Sequence, residues 1–239
     1  MRRRQRPGAA LTSFVSAALI TPAPTGAVDE ASEPRRRRAV VALTLAVGAT
    51  LLGFSLHAAP GSAYFYPLTT AVAATWVLGG LLSGPLHLGH IRLLGTSRRP
   101  ILTGFVIGLA AVGAFLLGAL VVREIGPLRD LVESVLAHAR KGSLALVVPV
   151  TVANGIAEEV FFRGALFTAI GRGRAVPVST VVYLLVTLAT GNLMLTFAAA
   201  SLGIVFALER RASGGILSAA ITHVTWSLAM LFALPHLFP

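Results

Sequence analysis

Two adjacent carboxylates, Glu158 and Glu159, lie inside a long apolar run, and Arg163 follows the second by four residues. A single histidine, His223, stands in the last apolar run. A charge at membrane depth is expensive and usually kept for function, so these few exceptions are the informative residues. On a helix, Glu159 and Arg163 share a face and can pair. Glu158 is turned about 100° away and is left without that partner. A carboxylate beside an arginine-held neighbour suits a general base that takes a proton from water and returns it later. His223 can donate a hydrogen bond to a developing oxyanion. The plainer readings stay open beside these. The Glu158, Glu159 and Arg163 group is also what a structural ion-pair network would use. His223 is also what a buried histidine bonded to a backbone carbonyl or to Ser227 would look like.

The elements that must hold these residues are apolar helices. Of 239 residues, 55% are hydrophobic and only 12% charged, with a mean hydropathy of +0.81. Soluble domains carry about twice that share of charge. The apolar residues come in blocks about 20 residues long, as a bilayer core demands. Each block must satisfy its own backbone, so each reads as a helix. The expected fold is an all-α polytopic transmembrane bundle of about seven membrane-embedded helices, near 39–57, 64–83, 101–122, 143–170, 175–190, 193–208 and 215–234. The fourth is long enough to tilt or protrude. The fifth and sixth are short and are expected as a hairpin tucked inside the bundle. In the third, Gly104-x-x-x-Gly108 and Ala114-x-x-x-Gly118 permit close helix packing.

The formal net charge of +11 does not indicate nucleic acid, because the charges sit where orientation signals sit. Arg2, Arg3, Arg4, Arg6 and Arg35 to Arg38 all precede the first apolar block, and no aromatic-interleaved basic stretch suggests a nucleic-acid groove. With the N-terminus in the cytoplasm, the loops carrying Arg92, Arg98 and Arg99, then Arg172 and Arg174, then Arg210 and Arg211 fall inside. Under this topology Glu158 lies about ten residues, or roughly 15 Å, from the cytoplasmic end of its helix. His223 lies at a similar depth, so a cytoplasm-facing cavity is expected. Residues 123–141 read as an outside amphipathic helix lying on the membrane, and their four basic residues are the one vote against this orientation. Residues 1–38 read as a disordered cytoplasmic arginine-rich tail. Its first 27 residues also mimic a signal peptide, but Arg35 to Arg38 would then have to be translocated. The domain organisation is therefore 1–38 tail, 39–122 N-terminal transmembrane helices, 123–142 interfacial segment and 143–236 site-bearing core. No cysteine is present, which excludes disulfides and thiolate metal sites. The preference for arginine, with Lys141 the only lysine, suggests a high-GC bacterial genome, and with the apolar spans the expected location is a bacterial plasma membrane.

Glu158-Glu159-x-x-x-Arg163 in an apolar helix, with His223 in the last one, resembles the CPBP family of intramembrane proteases. That family includes the CAAX prenyl endopeptidases and bacterial proteins of the lysostaphin-resistance and bacteriocin-immunity type. The resemblance covers about residues 143–234 and includes Gly164 after the arginine and the stretch Leu208-Glu209-Arg210-Arg211-Ala212-Ser213-Gly214-Gly215-Ile216-Leu217, similar to the family's turn into its last helix. It implies that the first glutamate, with a histidine of a second motif Phe-x-x-x-His, activates water. It also implies that a third motif, His-x-x-x-Asn/Asp, helps hold the oxyanion. Here the second motif reads Tyr183-x-x-x-Thr187 and the third reads His223-x-x-x-Ser227. A threonine positions water but does not share a proton as imidazole does.

Three functions follow from these residues. The first is an intramembrane glutamic endopeptidase acting on a membrane-associated peptide or protein, with Glu158, Glu159, Arg163, His223, Thr187 and Ser227 as its site. The second is a non-catalytic scaffold or immunity-type binding protein that kept the fold. The third is a proton-coupled transporter, for which broken helices in matching halves are missing. No cofactor is implied. Zinc at Glu158 and His223 lacks a His-Glu-x-x-His pattern and a sufficient ligand count, whatever label is attached to the family. His87 and His90 belong to a basic span end and read as interfacial. The bilayer is the one partner the composition demands, and oligomeric state is not encoded legibly.

Overall fold

Apolar runs in lipid have no water to bond their amides, and they fold into helices. The computed structural model describes residues 7–24, 34–93, 96–171 and 173–239. Arg2, Arg3, Arg4, Arg6, Arg172 and the stretch 25–33 lie outside the described residues. Among those described, the chain runs through α1 (Pro7–Val15, continued by a π-helical turn Ser16–Ile20), α2 (Pro34–His57) and α3 (Phe65–Ser83). A short antiparallel hairpin follows, β1 (Ile91–Leu93) and β2 (Thr96–Arg98). Then come α4 (Ile101–Val122), α5 (Gly126–Lys141) and α6 (Leu144–Ile170). The last three are α7 (Ala175–Leu188), α8 (Leu193–Ser213) and α9 (Leu217–Leu237). Six of these, α2, α3, α4, α6, α8 and α9, are long and apolar enough to cross a membrane, and α7 is a shorter apolar helix of 14 residues. The protein is an all-α polytopic bundle.

Three expectations about the elements change. The sixth span is not short, because α8 runs 21 residues and carries Glu209 and Arg210 inside the bundle, where both are buried. It stops at Gly214, whose φ of 71° provides the left-handed cap that glycine adopts without strain. The first span starts at Pro34, so Arg35 to Arg38 form its opening turns rather than a tail. Arginine is a good helix former and its long stem lets the charge leave the apolar layer. Part of the region expected as a disordered tail is helical, and it is tied to the bundle. The Arg211 guanidinium donates to the carbonyls of Leu19 (3.3 Å) and Ile20 (3.4 Å). Ala23 N–H donates to the Arg211 carbonyl (3.0 Å).

The bundle has two unlike ends. At one, α5 lies across the helix ends, with Leu136 and Val132 packed on Ala119, Leu234, Leu237 and Phe238. There Asn192 caps α8 by accepting from the amides of Met194 (2.9 Å) and Leu195 (3.0 Å), while its own amide donates to the Leu131 carbonyl in α5 (2.7 Å). At the other end, the strap before the hairpin is laced to the α8–α9 turn by His90 N–H to Ser213 O (2.8 Å) and Ile216 N–H to His87 O (2.9 Å). A Cβ on Gly89 or Gly215 would collide with the facing backbone. Between the ends, α4 and α9 approach closely through Gly104 and Gly108, which face Ser218, Ile221 and Thr225. Gly118 faces open space, so the second small-residue pair makes no such contact.

Candidate active site

The site grows out of a change of helix type. The α-helical part of α6 ends at Glu159 and passes into a π-helical turn, Val160–Leu166, all seven residues of which are buried. Such turns recur at functional sites because they re-aim side chains within one continuous helix. Glu159 and Arg163 are both fully buried, and Arg163 Nη1 donates to Glu159 Oε1 at 3.1 Å. The other guanidinium nitrogen, Nη2, donates to the Gly203 carbonyl of α8 (3.1 Å). The guanidinium also lies over the rings of Tyr183 (4.6 Å) and Phe206 (5.0 Å), so it is held on several sides.

His223 approaches the same carboxylate from α9, with Nδ1 3.0 Å from Glu159 Oε1 and the ring stacked on Phe206. A carboxylate paired with arginine only accepts, so Nδ1 carries the hydrogen. In the neutral ring Nε2 is then an acceptor, and it becomes a donor when the ring is protonated. This refines the expectation that His223 donates to an oxyanion, because only the imidazolium form does so through Nε2.

Glu158 points elsewhere. Its Oε2 accepts a hydrogen bond of 2.5 Å from the Tyr183 hydroxyl on α7. It borders a cavity of about 300 Å³ whose walls include Tyr183, Thr187, His223 and Ser227. The structure thus gathers all six expected residues in two layers. Glu158, His223, Thr187 and Ser227 face the cavity, while Glu159 and Arg163 sit behind its wall. Thr187 Oγ1 donates to the Tyr183 carbonyl (2.9 Å), which commits its hydrogen and leaves it able to accept one from water. Asn154 donates to the Val150 carbonyl of its own helix (2.9 Å).

The cavity does not extend toward the arginine-bearing end, as the depths of Glu158 and His223 alone suggest. It runs toward α5, past Ser55, Thr69, Val135 and Thr190. Two functional-looking groups escape a reading of the sequence. Tyr183 stands in the sequence only as the first position of the second motif, and its hydroxyl on Glu158 is visible only in the structure. Glu209 looks like a span end, but it is fully buried and its Oε1 accepts from Ser218 (2.6 Å) and Thr222 (2.8 Å). The available signal was a glutamate only four residues before the helix-ending Ser213-Gly214, next to two arginines, which reads as a solvated end. Among the described residues no three His, Asp or Glu side chains cluster as a metal site.

Residues 140–237 match the family model described as Rce1-like, type II CAAX prenyl endopeptidase Rce1-like. This segment belongs to the CAAX protease family. It comprises α6 to α9 and the last residues of α5, and α1 to α4 lie outside it. The family matched by this segment is generally one of proteases. No curated protein matches the chain, and no solved structure does.

Proposed function

We propose that the chain is an intramembrane endopeptidase that hydrolyses peptide bonds with water activated by Glu158. The observation that carries this reading is the division of labour between two adjacent carboxylates. Glu159 is turned away onto Arg163 and His223, while Glu158 faces a cavity with one oxygen held by Tyr183. The other oxygen of Glu158 is left to take a proton from water as that water's oxygen bonds to the scissile carbonyl carbon. The carbon–nitrogen bond then breaks, and Glu158 returns the proton to the leaving amine. His223, oriented by Glu159, serves the oxyanion from Nε2 when protonated. Thr187 and Ser227 position water and substrate at the cavity wall. Glu159 and Arg163 are positioning residues.

A second reading has its own support. The hydroxyl hydrogen of Thr187 is engaged with its own helix, so nothing at that position replaces an imidazole. On this reading the chain is a non-catalytic family member that binds a membrane partner. Proteolysis that begins only with Thr187→His would favour it, and robust cleavage by the wild type ends it. The test of the main reading is mass-spectrometric profiling of new peptide termini in membranes carrying wild type or Glu158→Gln at matched expression. Termini that depend on Glu158 are expected. Identical profiles from two folded proteins would overturn the protease reading.

A further inference from the structure

The two ends of the bundle differ in charge, and the cavity runs to only one of them. At one end lie Arg35 to Arg38 at the start of α2, Arg92, Arg98 and Arg99 around the hairpin, and Arg211 at the finish of α8. Glu209 is the one acidic residue there among the described residues, and it is buried. At the α5 end, basic residues alternate with Glu124, Asp130 and Glu133. Arg123 pairs with Glu124 (2.9 Å), Arg129 lies 3.9 Å from Glu133, and Arg140 donates to the Phe238 carbonyl. Orientation follows the excess of Lys and Arg in short loops near span ends, which places the arginine-rich end in the cytoplasm.

From Glu158 the cavity reaches Leu56 at the finish of α2, Phe65 and Thr69 at the start of α3, Val135 in α5 and Thr190 between α7 and α8. All of these belong to the α5 end. Toward the arginine-rich end the way is closed. Trp76 stacks on Phe161 (4.8 Å) and packs on Phe162 (5.1 Å). Arg163 fills the space beside Phe206, and Arg210 Nε donates to the Arg163 carbonyl (2.7 Å). None of these six side chains is more than 2% exposed. Apart from Glu158, His223 and the Tyr183 phenol, no ionisable side chain among the described residues lines the cavity. The rest of its walls are apolar groups, hydroxyls such as the Ser55–Thr69 pair (2.6 Å), and the Asn154 amide.

We propose that the Glu158 cavity is entered from the face opposite the cytoplasm, and that its substrate is an extended peptide segment with uncharged side chains presented at that face. The substrate clause rests on the protease reading, whereas the side of entry does not. Because the chain has no cysteine, single-cysteine variants report accessibility without background. Thr69→Cys and Leu56→Cys probe the cavity by two independent routes, Ser62→Cys marks the α5 end, and Ser97→Cys marks the arginine-rich end. In spheroplasts treated with a membrane-impermeant maleimide, the first three are expected to label and Ser97→Cys to label only after lysis. Cavity cysteines that label only when Ser97→Cys does, or that stay unlabelled while Ser62→Cys reacts, would overturn the proposal.

A second arm supplies an uncharged peptide to right-side-out and inverted vesicles, each with wild type and Glu158→Gln. Glu158-dependent cleavage in right-side-out vesicles alone is expected, and cleavage confined to inverted vesicles would overturn the side of entry. Labelling from outside with no Glu158-dependent cleavage in either vesicle would remove the substrate clause and the protease reading, and leave the side of entry standing.

Discussion

Arg163 holds Glu159 in place beside His223. Truncating one partner of a buried pair strands the other charge, at a cost of about 3–5 kcal/mol. Arg163→Ala is therefore expected to lower thermal unfolding in detergent sharply. Arg163→Lys should recover only part, because an ammonium cannot span Glu159 and the Gly203 carbonyl as the planar fork does. Tyr183→Phe deletes the hydroxyl on Glu158 and little else. A hydrogen bond to a charged group contributes about 1.5–3 kcal/mol to the folded state, so thermal unfolding should drop by that order and turnover by roughly 10- to 100-fold, with KM nearly unchanged. Steady-state kinetics on a defined peptide checks this, and a parallel rise in KM would assign Tyr183 to substrate binding instead. The Glu159–Arg163 pair was legible from spacing, since i and i+4 share a helix face. The Tyr183 contact was not, because it joins residues 25 apart in sequence through the packing of two helices, which no local pattern encodes.

At the scale of elements, the close approach of α4 and α9 is a steric statement. Gly104 leaves room for the Ser218 carbonyl and Ile221, and Thr222 Oγ1 donates to the Gly104 carbonyl (2.9 Å). Gly104→Val should force the helices apart and cost about 1–3 kcal/mol, as overpacking does. Gly118→Ala, facing open space, should be neutral in the same unfolding assay. Equal losses at both positions would contradict the packing account, because replacing a helical glycine raises helix propensity. Hydropathy found the third span at its observed limits, because its ends are marked by Pro100 and by the charges at 123–124. It cut α8 short, because Glu209 and Arg210 read as the edge of the membrane. Their burial depends on partners in α6 and α9 that a window over one segment cannot see.

The whole molecule is needed to close the site. The matched family segment supplies Glu158, Tyr183, Thr187 and His223, but α2 and α3 supply Ser55 and Thr69 of the cavity and Trp76 of the layer that seals it. Residues 124–239 expressed alone should show no Glu158-dependent cleavage, and co-expression with 1–123 should restore it in the same terminus-profiling assay. The bundle class was legible from hydropathy, and so was the meeting of Glu158 and His223 at one cavity. The direction in which the cavity runs was not, since it depends on which helix ends splay and which are plugged. The most direct test of the central claim is the hydrolysis rate of a peptide identified by that profiling, with purified wild type and Glu158→Gln in proteoliposomes at matched thermal stability. General-base catalysis contributes about 10²- to 10⁴-fold, and a loss of that size is the predicted result. A Glu158→Gln protein that cleaves at the wild-type rate would contradict the account.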